Sequence, residues 1–487
     1  MNRILSDNKN SIICIFLITF IFSIALAFIS INKQTIAPIW YINDYPPWSK
    51  VKSQEFRADY IYGYRHKGHD QVMQFFLNRS DSLRQLDLER SQSFSDKMML
   101  GGQLNSRIQF SYGLHGLISN ILNKFNKKNY LETVFISINL STLVWTILSF
   151  FIIFYLCQGI FGRSQYNYLY IFLFNPLFIV NAEEAWQMLI LGTYFIIFGS
   201  IQIEKSEKIK LYIFSAVLIC IGSILIIRAN STHYWLYFPL SFLFFLPYMY
   251  NRFRLTKLVI IILSLAIGAA ICLPIIIDGL TAVQNSSSNI DMKPWHNLHR
   301  MEYPALAISY FIGIPLLSNF YELFNILFPF NGIVPAGEGF FGPTILILSL
   351  IGFYSLKNNY LRLAILLLLL YWCGPLQLIF RFVIGGPFIS ETSVGGRLGV
   401  YIYIILLSLS IYAIISNLDK IKFYSKYIYI YCGLVIVIHL VQFFIILNSD
   451  ILNIHKYWLF GLIGPISSMI LIIGLNYKGD ISRFILL

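Results

Sequence analysis

The chain has 487 residues, 57% of them hydrophobic, 17% aromatic and only 12% charged; a water-soluble domain carries about a quarter charged residues, so this balance excludes an ordinary soluble enzyme and calls for many membrane spans. The net charge of +13 forms no basic stripe clear of the apolar runs, which leaves no footprint for nucleic acid as a partner. Cys14, Cys157, Cys220, Cys272, Cys373 and Cys432 all fall inside apolar runs without metal spacing, which reads as small core residues rather than a disulfide or zinc framework.

In chain order, the first apolar run, Ile12 to Ile31, is followed by no small-residue cleavage site and reads as a retained signal anchor. A helix needs about 20 apolar residues to cross the hydrocarbon. Scanning at that length predicts spans near 12–31, 133–161, 168–182, 186–203, 211–228, 234–250, 258–278, 342–356, 363–383, 398–417, 427–447 and 458–475. The expected fold class is therefore an all-α polytopic membrane protein of about twelve transmembrane helices (11–13), a single integral membrane domain over residues 1–487. The stretch 306–329 is apolar but carries Pro315, Asn319 and Glu322, and is expected to be peripheral.

Charges assign the sides. With a cytoplasmic N-terminus, one face holds Arg163, the loops EKSEKIK (204–210), NRFRLTK (251–257), KNNYLR (357–362) and DKIKFYSK (419–426), and both basic tails. The other face holds far fewer cations in its short loops: Arg228, Arg381, Arg397 and Lys456. This obeys the positive-inside rule loop after loop. It is expected to place both termini in the cytoplasm, and the Ile, Asn and Lys bias suggests a bacterial or phage gene, hence a bacterial inner membrane. Residues 32–132 and 279–341 become extracytoplasmic loops.

The first of these loops is the only long polar segment. In DQVMQFFLNRSDSLRQL (70–86) and RIQFSYGLHGLISNIL (107–122) apolar positions keep near-helical spacing, so both are expected to be amphipathic helices lying on the outer membrane surface. The stretch YGYRHKGHDQVMQ (62–74) gathers Arg65, His66, Lys67, His69 and Asp70 at the edge of the first. Asp70 there is equally placed to cap a helix.

Other polar groups collect on the same expected face. They include Glu183 and Glu184 at a tight turn, Arg228 and His233 at the next, His296, His299 and Arg300 in the second loop, and Arg381 and Arg397 near span ends. Taken singly, each has a bland explanation. Arginines at span ends snorkel to headgroups, paired glutamates decorate a solvated turn, and His296 with His299 lacks a third ligand for a metal. The set is what points to chemistry on the outer face.

Three stretches, HDQVMQFF (69–76), MMLGGQ (98–103) and GEGFFGPTILILSLIGFYSL (337–356), are similar to the YfhO-like bacterial membrane proteins. More broadly, a first span followed by a long outer loop with an early acid resembles the GT-C glycosyltransferases. The paired-acid form of the first-loop motif is absent, since His69 stands before Asp70, and Asp44 and Asp59 are rival carboxylates. What the resemblance implies is a membrane glycosyltransferase without metal or cofactor. Its partners would be a polyprenyl-phosphate-sugar donor, a glycan or lipid-linked acceptor, and membrane lipids. Asp70 would be the base, Arg381, Arg397 and Arg228 would hold the carrier phosphate, and His69, Glu183, Glu184 and His299 would contact sugar.

Two other functions fit parts of the pattern. An O-antigen-type polymerase needs similar outer arginines but places its large loop late in the chain. A lipid-linked-sugar flippase predicts internal repeats and mid-span charges; no repeat relates the halves, and mid-span charges are nearly absent. The sidedness has its own test in a cysteine-free background. A cysteine replacing Ser287 is expected to react with an impermeant maleimide in intact spheroplasts, and one replacing Glu207 only after the membrane is opened; the reverse pattern inverts the topology.

Overall fold

Runs of apolar sequence leave the backbone one local way to satisfy its hydrogen bonds away from water, the α-helix. A computed structural model of the chain describes residues 114–125, 130–161, 184–229, 232–277, 342–372, 394–416 and 418–448, with single positions at 466, 469 and 473. The described residues are helices and the turns between them, with no strand. The helices are α1 (Leu114–Phe125), α2 (Tyr130–Phe161), α3 (Glu184–Lys205), α4 (Ile209–Arg228) and α5 (Thr232–Arg252). They continue with α6 (Leu255–Ile271), α7 (Gly342–Ser355), α8 (Asn359–Trp372), α9 (Val394–Ser416) and α10 (Leu418–Asn448).

Among the described residues, three stretches are long and apolar enough to cross a membrane: Met188–Lys205, Ile209–Arg228 and Asp419–Ile438. Shorter apolar helices lie in α6 to α9. The outside of the bundle is apolar at helical spacing: Ile209, Ile213, Val217 and Ile221 on α4, and Phe423, Tyr427, Ile430, Leu434, Val437, Val441 and Phe444 on α10, are exposed. The inside holds serines at positions 137, 141, 200, 215, 223, 264, 349 and 410. An apolar exterior around a core of apolar side chains and buried hydroxyls makes the described part an all-α bundle suited to a membrane.

Helix α9 is the centre. Tyr401, Ile402, Tyr403 and Ile404 are all buried; four consecutive residues at about 100° steps point in every direction, so α9 is surrounded. It packs against α2, α3, α5, α7, α8 and α10. To one side α3 and α4 form an antiparallel hairpin, with α6 along α4, α2 along α3 and α1 along α2. To the other, α10 lies against α7.

Two features hold neighbours together. Small residues let backbones touch: a Cβ on Gly222 of α4 would sit 2.5 Å from the Gly192 carbonyl oxygen of α3, and one on Gly352 of α7 would collide with the Leu409 carbonyl of α9. Hydroxyls also bridge helices. Ser410 Oγ lies 3.0 Å from the Ile345 carbonyl and Ser223 Oγ donates to the Leu265 carbonyl at 3.1 Å. Ser408 gives its only proton to the Ile404 carbonyl, so the Tyr194 hydroxyl donates in the 3.3 Å contact that links α3 to α9.

The structure departs from the sequence expectation at DKIKFYSK (419–426), which is not a loop but the first two turns of the 31-residue α10. The stretch contains neither Gly nor Pro, its lysines are good helix formers, and Asp419 in the first turn favours a helix N-terminus. The predicted helix at 107–122 is described from Leu114, where Ser119 and Asn123 are buried and Leu117 and Ile121 are exposed. The expected spans 12–31, 168–182 and 458–475, nearly all of the loops 32–132 and 279–341, and the stretch 306–329 lie outside the described helices.

A matched pair of substitutions checks the packing. Gly222→Ala is expected to destabilise the detergent-purified protein by about 1–3 kcal/mol, the cost of overpacking. Gly433→Ala, whose Cβ meets nothing within 4 Å, is expected to be neutral or stabilising by up to about 1 kcal/mol. Equal thermal midpoints for the two variants would contradict the observed contact between α3 and α4.

Candidate functional site at one end of the bundle

Those polar groups singled out in the sequence that are described sit at helix termini, where an apolar helix can carry charge cheaply. Glu184 is the first residue of α3, where the helix dipole favours an anion. Arg228 is the last residue of α4, where it favours a cation. Ala229 closes that helix, its N–H donating to the Ile226 carbonyl at 3.2 Å, and α5 begins at Thr232. The Arg228 side chain is half-buried. Arg397 stands in the first turn of α9, an end whose free N–H groups attract anions.

Three contacts bring these termini to the same end. Gly192 and Gly222 touch where α3 crosses α4; Glu184 lies about 12 Å beyond that crossing and Arg228 about 9 Å beyond it, at 1.5 Å per residue. Tyr194 meets Ser408, which sets α3 beside α9. The ring of Phe238, early in α5, lies 6.1 Å from that of Tyr401, and Tyr401 is one turn below Arg397. The starts of α3, α5 and α9 and the close of α4 therefore share one end. The sequence did not single out Tyr194, Phe238 or Tyr401. The available signal was a tyrosine one helical turn after a span-end arginine, which is indistinguishable by composition from a belt residue.

The remaining expected site residues, Asp70, His69, Glu183, His299 and Arg381, lie outside the described residues, as do Asp44 and Asp59. Among the described residues no three His, Cys, Asp or Glu side chains come together in a way that could hold a metal ion. Cys220, Cys272 and Cys432 are free thiols.

The opposite end is built differently. Lys257 Nζ donates to the carbonyls of Glu204 at 2.7 Å and Ser206 at 3.3 Å, closing the C-terminus of α3, and stands 5.8 Å from the centre of the Tyr212 ring. Arg252 Nε lies 2.6 Å from Glu204 Oε1. Asn358 Oδ1 accepts from the Leu361 N–H at 3.0 Å and caps α8, while Arg362 donates to the Tyr354 carbonyl of α7 at 2.9 Å. Every one of these bonds ties a helix end or turn.

Comparison of the chain with protein-family models, with characterised proteins and with solved structures finds no match in any of the three.

The clasp at the second end makes unequal demands on its members. Lys257→Met leaves two carbonyls without their donor and is expected to lower stability by about 1–3 kcal/mol. Arg252→Gln breaks an ion pair whose arginine is 53% exposed and is expected to change it by less than about 1 kcal/mol. Thermal unfolding in one detergent ranks the two; a larger loss for Arg252→Gln refutes this order.

Proposed function

We propose that the protein is a GT-C-type glycosyltransferase that moves a sugar from a polyprenyl-phosphate donor to a cell-surface glycan or lipid-linked acceptor on the extracytoplasmic face of a bacterial inner membrane. The observation that carries this proposal is the shared end of Glu184, Arg228 and Arg397, opposite the lysine-rich turns. By the positive-inside rule that end faces outward. Helix termini at that depth meet the headgroup layer, where the phosphate of a lipid carrier must lie.

The chemistry asks for two kinds of group. As the acceptor oxygen forms its bond to the anomeric carbon, its proton passes to a carboxylate, the role given to Asp70. The bond between the anomeric carbon and the phosphate oxygen breaks, and the departing lipid phosphate keeps the electron pair. Guanidinium groups match that charge in geometry as well as sign, the role given to Arg381, Arg397 and Arg228. His69, Glu183, Glu184 and His299 would hydrogen-bond the sugar hydroxyls. No metal or cofactor is needed in this scheme.

The test is native mass spectrometry of the full chain with a panel of polyprenyl-phosphate sugars, beside a transfer assay. Asp70→Asn is expected to abolish transfer while leaving carrier binding and expression intact. Arg397→Ala is expected to weaken carrier binding about tenfold or more, as loss of a charge-assisted bond does. Retained transfer in Asp70→Asn removes its role as base, and a folded wild type that binds no carrier lipid removes the proposal.

A further inference from the structure

Between α7 and α10 runs a groove of about 510 Å³ at the lysine-rich end of the bundle. One wall is aliphatic, with Leu350 and Ile351 of α7, and ends at Tyr354, the penultimate residue of that helix. The other wall is a single face of α10 bearing Lys420, Tyr424, Tyr427 and Tyr431, spaced four, three and four residues apart, as a helix stripe requires. The helices are antiparallel here, so Tyr354 and Lys420 come together at the mouth and the aliphatic wall and Tyr431 lie deeper.

The mouth is cationic and rich in hydroxyls. Lys420 makes no ion pair or hydrogen bond to any described residue. Lys422 and Lys426 stand exposed on the same two turns, with Asp419 the only acid among them. Tyr354 is 75% and Tyr427 61% exposed, although both are large rings. Tyr424 is braced by Phe423, 5.1 Å away edge-on, and by Tyr427 at 6.3 Å, so the aromatic wall is set before anything binds. A lysine ammonium without a partner among the described residues, beside tyrosines at a helix end and above an apolar trough, is complementary to a phosphate headgroup with its acyl chain.

We propose that this groove is a binding site for an anionic phospholipid of the leaflet at the lysine-rich end. Its phosphate would be held by Lys420 and the hydroxyls of Tyr354, Tyr424 and Tyr427, and its chain would lie along Leu350 and Ile351. The site is separate from the arginine end and does not rest on the glycosyltransferase proposal.

The experiment titrates phosphatidylglycerol and, separately, phosphatidylcholine onto the delipidated full chain and counts bound lipid by native mass spectrometry. Phosphatidylglycerol is expected to bind in preference, Lys420→Gln to weaken it on the order of tenfold, and Lys420→Arg to restore it. Lys422→Gln, two positions on and so about 200° round the helix, is expected to change it less than about twofold. Equal loss from Lys420→Gln and Lys422→Gln, or no preference between the two lipids, overturns the site. A benzoylphenylalanine in place of Tyr427 supplies a readout independent of affinity. Its photo-adduct is expected on lipid, and an adduct on a second copy of the chain or on another segment of the same chain overturns the proposal. Unchanged thermal midpoints in all four variants establish that each is folded.

Discussion

Helices with oily outsides gain nothing from hiding apolar surface from one another in an apolar solvent, so close backbone approach has to hold this bundle together. The contact between Gly192 and Gly222, and that between Gly352 and the Leu409 backbone, bring α3 against α4 and α7 against α9. At those separations dispersion contacts multiply and the serine hydroxyls reach across. Ser410 to Ile345 is a consequence of that approach, and Ser223 to Leu265 follows from a like closeness of α4 and α6, where a Cβ on Gly268 would sit 2.7 Å from the Cys220 carbonyl oxygen. The central position of α9, with four successive buried residues, goes with its packing against α2, α3, α5, α7, α8 and α10.

The two ends of the bundle divide the work. At one, short turns are locked by Lys257, Arg252, Asn358 and Arg362, each bonded to a helix terminus or its neighbour. At the other, Glu184 and Arg228 sit where the helix dipoles favour them and Arg397 sits where they favour an anion instead. Arg397 in the first turn of α9 puts a cation on a helix terminus whose free N–H groups favour an anion, and the proposed carrier phosphate would supply one. The groove of α7 and α10 adds a second cationic feature at the other end of the bundle, lined with tyrosines.

Much of the helical plan was legible in the sequence because hydrocarbon tolerates so few backbone conformations. The expected spans at 133–161, 186–203, 211–228, 234–250 and 398–417 each coincide with a described helix. The miss at 419–426 has an equally physical cause. Lysines mark the end of a span to a hydropathy scan, yet lysine is a good helix former, and the helix runs on through DKIKFYSK. The candidate site was legible only as residue types at helix ends. Glu184, Arg228 and Arg397 could be named, while Tyr194, Phe238 and Tyr401, which register the helices at that end, could not be told from other aromatics.

By itself the sequence determined the helical class, the bundle's suitability for a membrane and the asymmetry of charge between its ends, because these depend on composition along single segments. Only the tertiary structure decided which helix is central, which glycines touch, which carbonyls receive the serine hydroxyls, and that Lys420 shares a groove with Tyr354. Those are relations between segments far apart in the chain. They turn on interhelical distances of a few ångströms, and an apolar helix presents several faces of nearly equal hydropathy from which no one-dimensional pattern can choose.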